Sequence, residues 1–510
     1  MKGKWGTGCL LFGLCLLVAL ARLHTYHEPT DRDLGGYAVI AHEMLNGKRI
    51  FEGVLVDQKP PGIHTTYAIA EMIAGYGRNE IYLLGVSAAM ATLIGFYFAG
   101  KNIAGSRGAG LWAALFWTVT CSDLWLEANQ PNSEVFINAW TVFGILILLG
   151  RSQRMAPWLK PVLAGVCFAL ASFYKHVVVV IPFFMGLAYI LFPPAGRTRR
   201  QAFYDIAIIG MVGVLAWVGL FSYFGITGRF KGLYDGLVVV NVQYSGDKGS
   251  NLVRATSFSR LFPEAIYGLL PLGLLSMGGI CTAIYQRKFF PWCVFAGLAV
   301  GTGLAVALPG KFFPHYYQLW YPFLILGSAL TANRIMQSGS RFKLARLIPM
   351  FALIALLANE VPPYFHSARE WSEIKYGPIF VQTDQLANDI RKWIKPGETM
   401  FQLGEEPQLY FDTGLRPTST ICIYGVFTGG PLSVYYSQRT CNDLFLHPPD
   451  LLVMDKWSYL TFPKDSPLWL WIHAKYALSP SGSDRGMLIV CVRQGSDLQK
   501  RLAADLAKTP

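Results

Sequence analysis

The sequence predicts a polytopic α-helical membrane protein with about eleven transmembrane helices, followed by a small C-terminal α/β domain. The 510 residues are 53% hydrophobic and only 15% charged, whereas soluble globular chains carry about 25% charged residues. The excess positive charge is confined to the apolar part of the chain. Residues 1–359 hold 29 Lys and Arg against 15 Asp and Glu, while residues 360–510 hold 15 against 16.

Apolar runs in the first part of the chain match the length of membrane spans. A helix needs about 20 apolar residues to cross a hydrocarbon layer of ~30 Å, and somewhat fewer where flanking residues snorkel. We identify roughly eleven such runs by this criterion. They cover residues 5–23, 81–100, 108–122, 134–149, 161–175, 176–192, 203–224, 262–285, 291–308, 316–332 and 344–359.

The connections between these runs indicate the topology. Sixteen of the 29 cations lie in six short segments, and alternate basic connections are the positive-inside pattern. They are Lys2/Lys4, Lys101/Arg107, Arg151/Arg154/Lys160, Arg197/Arg199/Arg200, Arg287/Lys288 and Arg334/Arg341/Lys343/Arg346. With an odd number of spans, the pattern predicts a cytoplasmic N-terminus and an extracytoplasmic C-terminal domain. We expect an integral protein of the bacterial inner (plasma) membrane, whose C-terminal domain is then periplasmic. No soluble element carries a stripe of cations, so no nucleic-acid partner is expected.

The first run also fits a second interpretation, a cleaved signal peptide, because Lys2 and Lys4 precede it. The residues that follow it, Ala21-Arg-Leu-His-Thr, form a poor small-residue cleavage site. Removal would also make the number of spans even. These points favour a first helix that is retained in the membrane.

The first external loop, residues 24–79, is far longer than a helix connection requires. Its apolar residues recur at helical spacing, with Glu43 and Asn46 on the opposite face and Gly47 placed to end the helix. The apolar set is Tyr37, Ile40, Ala41, Met44 and Leu45. A second apolar helix follows over residues 61–76, too short to span comfortably. We expect both helices to lie at the membrane interface.

The composition changes near residue 360, which divides the chain into a membrane domain, 1–359, and an α/β domain, 360–510. Strands are predicted at 400–403, 451–454 and 488–492, and helices at 383–393 and 407–411. Cys422 and Cys441 lie in this external domain, where a disulfide between them is permitted.

Acidic residues at the start of the first loop are candidates for catalysis. Asp33 lies four residues before Tyr37, at the mouth of the amphipathic helix. A carboxylate there is able to take a proton from an acceptor hydroxyl, or to cap the helix. Asp31-x-Asp33 also permits a divalent metal, although so short a motif is common in loops and caps. No metal site is favoured.

Two lysines are candidates for binding phosphate. Lys59 precedes Pro60 and Pro61, which stiffen the backbone and fix its ammonium beside the lipid; snorkelling to headgroups is the alternative. Lys175 with His176 interrupts a long apolar stretch, and ionisable groups at membrane depth are usually functional. Alternatively, two helices meet there and Lys175 lies outside the lipid.

Two other positions lie at the ends of predicted spans. Glu134 follows Asn129-Gln-Pro-Asn-Ser and either caps its helix or supplies a second carboxylate. His315 and Tyr316 belong to an aromatic group that opens the tenth span. Such groups normally form an interfacial belt, although these two side chains are also able to hydrogen-bond a sugar or a phosphate.

Together these residues resemble the GT-C superfamily of membrane glycosyltransferases, in particular the branch of protein O-mannosyltransferases and aminoarabinose-transferase-like enzymes (glycosyltransferase family 39/83). The resemblance extends nearly end to end, and the first loop is its most specific part. The matching residues are Asp33-x-x-x-Tyr37, Ala41, Met44-Leu45, Gly47, Asp57-x-Lys59-Pro60-Pro61-Gly62, Lys175, Phe313-Pro-His-Tyr, Ala387-Asn-Asp-Ile-Arg, Pro396-Gly and Gly404-Glu-Glu-Pro-Gln-Leu-Tyr.

The resemblance implies an inverting transfer of a sugar from a polyprenyl-phosphate donor. Asp33 is expected to activate the acceptor, and Lys59 with Lys175 to bind the donor phosphate. The substrate contacts are assigned to Asp31, Tyr37, Asp57, His315 and Tyr316. One lysine is sufficient for a phosphate leaving group on a lipid, so no cofactor is expected.

This chain departs from the family at one position. Many relatives carry Asp-Glu in the first loop, but Leu34 follows Asp33 here. Glu134 or Asp31 is left to supply a second acid, and the acceptor, whether lipid, glycan or protein, is left open.

Two other functions are weighed against the enzyme. A transporter or flippase of lipid-linked sugars would need polar residues through the bilayer centre and broken, repeated helices, whereas the polar residues here concentrate in the external loops. A non-catalytic scaffold would need only residues 360–510. The sequence favours the enzyme.

Overall fold

The computed structural model describes residues 2–52, 57–150, 156–337, 343–419, 431–479 and 484–506. Helices dominate these ranges. In the first part of the chain they are α1 (Lys2–His24), α2 (Arg32–Leu45), α3 (Gly62–Ala74), α4 (Arg78–Ala104), α5 (Arg107–Thr120), α6 (Ser133–Leu149), α7 (Leu159–Ser172), α8 (Val180–Leu191) and α9 (Arg199–Ile226).

The helices continue to the end of the chain. They are α10 (Phe230–Tyr234), α11 (Asn241–Ser245), α12 (Lys248–Ala255), α13 (Phe258–Leu261), α14 (Leu270–Tyr285), α15 (Trp292–Ala307), α16 (Tyr321–Gln337), α17 (Ile348–Glu360), α18 (Ala368–Tyr376), α19 (Ile379–Trp393), α20 (Gln408–Thr413), α21 (Ser433–Leu446), α22 (Lys456–Thr461), α23 (Pro467–Lys475) and α24 (Asp497–Leu506). Short 3₁₀ turns precede α8, α14, α16 and α17, another follows α17, and a π-helical turn covers Asp235–Val240.

Within the described ranges, five helices are long and apolar enough to cross a membrane: Gly6–His24, Arg78–Ala104, Arg199–Ile226, Glu264–Tyr285 and Leu344–Phe365. Four shorter apolar helices are Ser133–Leu149, Leu159–Ser172, His176–Leu191 and Trp292–Ala307. The remaining two predicted spans coincide with α5 and α16. All eleven predicted apolar segments are therefore helices, while the number of crossings stays a prediction.

The chain divides into two compact units. The first comprises Met1–Tyr26, Tyr82–Tyr223 and Tyr244–Ser367. The second comprises His27–Ile81, Phe224–Gln243 and Ala368–Pro510, so it joins the first loop to the C-terminal segment. The domain boundary expected at residue 359 stays a prediction.

The first unit consists of packed apolar helices. Helix α8 packs against α15, α6 against α7, and α14 against α16. At the end of α1, the buried guanidinium of Arg22 donates hydrogen bonds to the carbonyls of Cys121 (2.8 Å) and Ala128 (3.2 Å). This contact fixes the connection between α5 and α6, which carries polar residues discussed below.

The second unit contains the predicted sheet. Its strands are β1 (Met400–Leu403), β2 (Leu451–Asp455), β3 (Tyr476–Leu478), β4 (Asp484–Arg485) and β5 (Leu488–Arg493), in the order β1-β2-β5-β3, with β4 paired to β5. Strand β1 runs parallel to β2, and β5 is antiparallel to β2, β3 and β4. The strands predicted at 400–403, 451–454 and 488–492 are confirmed, as are the helices at 383–393 and 407–411. Cys422 lies outside the described residues, so its disulfide with Cys441 stays a prediction.

The two helices predicted in the first loop are present as α2 and α3, and Gly47 follows α2 with φ of +89°. The expectation that Glu43 lies on a polar face is wrong, because Glu43 is fully buried. Its carboxylate accepts hydrogen bonds from Arg416 (2.7 Å) and pairs with Lys48 (2.7 Å). Burial opposes ionisation, but these two cations lower the pKa of Glu43 below its usual value.

Candidate active site

The start of α2 places two aspartates in different roles. Asp31 is the N-cap, and its Oδ1 accepts hydrogen bonds from the backbone N–H groups of Asp33 (2.7 Å) and Leu34 (3.3 Å). Asp33 lies in the first turn, two residues further on. The interpretation of Asp33 as the helix cap is therefore wrong, because Asp31 occupies that position and leaves the Asp33 side chain for another contact.

Asp33 and Lys59 form an ion pair. The Lys59 ammonium lies 3.2 Å from Asp33 Oδ2 and 4.3 Å from the centre of the Tyr37 ring. The Lys59 side chain is 15% exposed and that of Asp33 is 37% exposed. The aromatic face holds the ammonium on one side, while the carboxylate keeps access to solvent.

The backbone that carries Lys59 is held by Asp57. Its Oδ1 accepts hydrogen bonds from the backbone N–H groups of Gln58 (2.6 Å) and Lys59 (3.3 Å). Its Oδ2 lies 2.8 Å from Nε2 of His64, an imidazole that is fully buried. Asp57 thus shapes the lysine loop, and its expected contact with substrate stays a prediction.

His64 was not selected from the sequence. Its signal in the sequence is slight, because it is a single imidazole near the start of a largely apolar helix, five residues after Lys59. Its ring also meets the edge of the Tyr37 ring, with centroids 5.8 Å apart. His64 therefore contacts both the residue that shapes the lysine loop and the ring beneath the ammonium.

A second segment of the same unit closes over this loop. Asn241 Nδ2 donates hydrogen bonds to the carbonyl of Gln58 (2.6 Å) and to the carbonyls of Gly236 (3.2 Å) and Leu237 (3.1 Å). A Cβ on Gly236 would lie 2.4 Å from the carbonyl oxygen of Asp57, so only glycine permits this approach. The contact falls in the π-helical turn, and such turns are frequent at functional sites.

The N-terminus of α2 is also tied to the sheet segment. Arg32 donates hydrogen bonds to Glu405 (2.9 Å) and Glu406 (2.7 Å). Burial raises the pKa of Glu406 to about 7, although Arg32 acts in the opposite direction. The residue preceding Asp33 is thus anchored by two carboxylates that follow β1.

The first unit holds a separate group of predicted residues. The Lys175 ammonium lies 2.7 Å from Glu134 Oε1 and 3.3 Å from the centre of the Tyr316 ring. The Glu134 side chain is 1% exposed and that of Lys175 is 13% exposed. The capping interpretation of Glu134 is wrong, because the side chain of Asn132 caps α6 by accepting the N–H of Ser133 at 2.7 Å.

His315 belongs to the same group. Its Nδ1 lies 2.9 Å from Glu127 Oε2, and its ring meets the Tyr316 ring at 4.9 Å. Burial lowers the pKa of the imidazole, but the Glu127 and Glu134 carboxylates together raise it more, so the pKa lies above the usual 6.5. Glu127 was missed in the sequence; its position in the connection before α6 and its φ of +56° are apparent only in the folded chain.

The nine predicted site residues therefore form two groups. Asp31, Asp33, Tyr37, Asp57 and Lys59 lie in the second unit, and Glu134, Lys175, His315 and Tyr316 lie in the first. Among the described residues, no group of three or more His, Cys, Asp or Glu has the arrangement of a metal site. Each group instead combines an ammonium, a carboxylate and an aromatic ring, which is chemistry suited to a phosphate and to a hydroxyl proton.

Solved structures share the fold of this chain over nearly its whole length. ArnT from Cupriavidus metallidurans bound to undecaprenyl phosphate matches with a TM-score of 0.67 and 15% identity, over 96% of this chain and 98% of that chain. An oligosaccharyltransferase from Archaeoglobus fulgidus matches with a TM-score of 0.50 and 15% identity, over 92% of this chain and 72% of that chain. The mycobacterial arabinofuranosyltransferase AftD matches with a TM-score of 0.51 and 15% identity, over 95% of this chain and 40% of that chain.

No family model matches the sequence, and no curated protein matches it. The similarity to the three solved structures therefore concerns the fold. It agrees with the resemblance inferred from the first loop.

Proposed function

We propose, from the premise that this chain is an integral membrane protein with the fold of the GT-C glycosyltransferases, that it transfers a sugar from a polyprenyl-phosphate donor to an acceptor. The undecaprenyl phosphate bound to the similar ArnT supports a donor of this class. A transferase acting on such a lipid has its donor at the membrane interface. We place the reaction on the extracytoplasmic side of a bacterial inner membrane, in a chain of about eleven spans with an external α/β domain.

The observation that carries the proposal is the pair formed by Asp33 and Lys59. An ammonium and a carboxylate 3.2 Å apart are the two groups that the reaction needs: a cation for the phosphate and a base for the acceptor. Asp33 is partly open to solvent, whereas Lys59 is seated on the Tyr37 ring. In this arrangement the Lys59 ammonium is fixed in place, and the Asp33 carboxylate is the member of the pair that another anion is able to replace.

We propose that the donor phosphate replaces Asp33 as the partner of Lys59. Phosphate binds lysine through the same charge-assisted hydrogen bond as a carboxylate does. Its arrival satisfies the ammonium and releases Asp33 to face the acceptor. The base would then become available only when the donor is bound.

In the chemical step, the acceptor hydroxyl oxygen attacks the anomeric carbon from the face opposite the phosphate. The bond from that carbon to the phosphate oxygen breaks, and its electron pair leaves with the polyprenyl phosphate. Asp33 takes the hydroxyl proton, and Lys59 stabilises the additional negative charge on the phosphate. One displacement from the opposite face inverts the anomeric centre.

The other predicted residues receive supporting roles. Asp57 and His64 hold the lysine loop, and Asp31 fixes the helix turn that presents Asp33; Asp31, Tyr37 and Asp57 are also proposed to contact substrate. In the first unit, we propose that Lys175 binds phosphate, that Glu134 acts as its carboxylate partner, and that His315 and Tyr316 contact sugar or phosphate. The kinetics of variants in each group test these roles separately.

The test is a transfer assay with purified protein in liposomes that contain a polyprenyl-phosphate sugar, with the products read by mass spectrometry. We expect the native protein to form a glycosylated acceptor, and Asp33→Asn to remain folded but form none. Glu52→Gln is the matched control, since Glu52 is an exposed acid of the same loop that pairs with Arg49, and it should retain transfer. Retained transfer by Asp33→Asn would refute its role as the base. Movement of the lipid-linked sugar across the membrane without a covalent product would favour the transporter.

A further inference from the structure

A groove in the first unit is lined by residues that belong to neither group of polar residues described above. It has a volume of about 580 Å³ and is formed by α14, α16 and the start of α17. Ser276 holds α14 to α16 by donating a hydrogen bond to the carbonyl of Leu324 (3.0 Å). Gly278 and Gly279 line the groove where side chains would otherwise fill it.

The polarity of the groove changes along its length. Leu274 and Leu275 line it near the start of α14, whereas Thr282, Gln286 and Lys288 line it at the end of that helix and beyond; Ile335 of α16 and Ile348 of α17 add apolar surface. The thirteen residues from Leu274 to Gln286 extend over about 18 Å, slightly more than half of a hydrocarbon layer of ~30 Å. A groove of this length, with leucines near one end and cations near the other, has the dimensions of one lipid within one leaflet.

The polar end carries two cations that are not neutralised locally. Lys288 follows α14 and Arg334 lies near the end of α16, and both line the groove. In the part of the chain that the structure describes, neither makes an ion pair. The Arg334 guanidinium lies 5.2 Å from the centre of the Trp292 ring. The two cations come from two of the basic connections that the charge pattern assigns to a single side of the membrane.

We propose that this groove binds an anionic glycerophospholipid, with its phosphate between Lys288 and Arg334 and an acyl chain along Leu274 and Leu275. Basic pockets between membrane helices recognise phosphate headgroups, and each cation near the membrane surface adds to the attraction. Charge complementarity selects the phosphate, and the apolar length selects a lipid over a free anion. The site is distinct from the proposed donor site and does not depend on the transferase function.

The glycines of α14 provide a way to block the groove without disturbing the fold. A Cβ on Gly278 meets no atom within 4 Å, so Gly278→Leu places its side chain in the open space of the groove. Gly273 on the same helix is equally open but does not line the groove, which makes Gly273→Leu the matched control. Gly279 is unsuitable, because a Cβ there would lie 2.2 Å from the Trp292 ring.

The experiment is native mass spectrometry of the full-length protein in detergent, titrated with phosphatidylglycerol, phosphatidylcholine or undecaprenyl phosphate. Inorganic phosphate is then added to the lipid-bound protein as a competitor. We expect the native protein to retain phosphatidylglycerol in preference to phosphatidylcholine. The double variant Lys288→Gln/Arg334→Gln should weaken phosphatidylglycerol retention about tenfold or more, since two cations are lost. Gly278→Leu should weaken it comparably, and Gly273→Leu should leave it unchanged.

Three results would overturn the proposal. Equal phosphatidylglycerol retention by the native protein and the double variant would remove the role of the cations. Displacement of the lipid by inorganic phosphate alone would indicate a free-anion site. A preference for undecaprenyl phosphate, lost in Gly278→Leu, would assign the groove to a polyprenyl lipid. Because the double variant removes only side chains without ion pairs, it stays informative even if Gly278→Leu fails to fold.

Discussion

Two lysines in this protein have matching surroundings and similar burial, but their carboxylate partners differ in exposure. Lys59 pairs with Asp33 over Tyr37, and Lys175 pairs with Glu134 over Tyr316. The Asp33 side chain is 37% exposed, whereas that of Glu134 is 1% exposed.

The difference in the burial of the carboxylates separates what the two pairs are able to do. A pair at the surface contributes at most about 1 kcal/mol to stability. In the Lys59 pair only the carboxylate is partly solvated, so Asp33 is able to leave at a lower cost than Glu134. Removing one partner of a buried pair costs about 3–5 kcal/mol, because the other charge is left in a poorly solvated place. The same three residue types therefore suit exchange of the carboxylate for a ligand in the second unit, whereas in the first unit Glu134 stays paired with Lys175 while that lysine binds a ligand.

The largest expected effect is the loss of transfer rate when Lys59 is substituted. Lys59→Met removes the charge that stabilises the leaving phosphate, and we expect transfer to fall by about 10²–10³-fold, as for loss of one transition-state donor. Initial rates in the liposome assay measure this. Lys392→Met is the control: Lys392 is 75% exposed in the same unit, and its variant should keep the native rate. Similar losses in both variants would contradict a specific role for Lys59.

For the free energy of unfolding we expect the larger effect at the Lys175–Glu134 pair and the smaller effect at the Lys59–Asp33 pair. Glu134→Gln should lower the free energy of unfolding by about 3 kcal/mol, because it replaces a buried ion-pair partner. Asp33→Asn should change it by no more than about 1 kcal/mol. Denaturant titration of both variants in the same detergent measures the difference. Equal losses would show that burial does not distinguish the two pairs.

A smaller effect is expected at His64, which acts on the lysine loop through Asp57. His64→Ala should raise KM for the donor about tenfold by misplacing the ammonium, with a lesser change in kcat. His64→Gln retains a hydrogen-bond donor and should recover most of the affinity. A native KM in His64→Ala, or no recovery in His64→Gln, would remove this positioning role.

The smallest expected effect is a pH dependence of the stability of the folded protein, which arises from His315 in the first unit. Although burial acts in the opposite direction, the Glu127 and Glu134 carboxylates together raise the pKa of His315 above 6.5 in the folded state. The folded protein thus binds the proton more tightly than the unfolded chain does. The stabilisation is fully present below pH 6.5 and is lost as the pH rises through the folded-state pKa.

Glu127→Gln removes the carboxylate that contributes most to this pH dependence. It should cost about 1 kcal/mol at pH 6 and progressively less at higher pH. Unfolding of the two proteins measured from pH 6 to pH 9 gives the comparison. A constant difference over that range would show that the titration of His315 is not involved.

The helices were predictable from the sequence, because a run of apolar residues carries its own signal. The strands at 400–403, 451–454 and 488–492 were predictable for the same reason. The separate roles of Asp31 and Asp33 were not predictable from the sequence. Helix boundaries are uncertain by one or two residues, and a shift of two residues at the start of α2 decides which aspartate is the cap and which lies in the first turn.

Contacts between distant segments left no signal in the local pattern. Glu43 was assigned to a polar face by its helical spacing, but its partner Arg416 lies 373 residues further along the chain. Asp33 and Lys59 were both selected as site residues, yet their pairing across 26 residues depends on how the loop folds. The sequence thus identified the chemical groups, whereas their partners required the structure.

Whether Lys59 exchanges Asp33 for the donor phosphate is tested by the binding of undecaprenyl phosphate. Its Kd should be measured for the native protein, Asp33→Asn and Lys59→Met in the same detergent. We expect Asp33→Asn to bind at least as tightly as the native protein, because the competing carboxylate is gone, and Lys59→Met to bind far more weakly. Equal loss of affinity in both variants would contradict the account, because the pair would then act only as a structural unit.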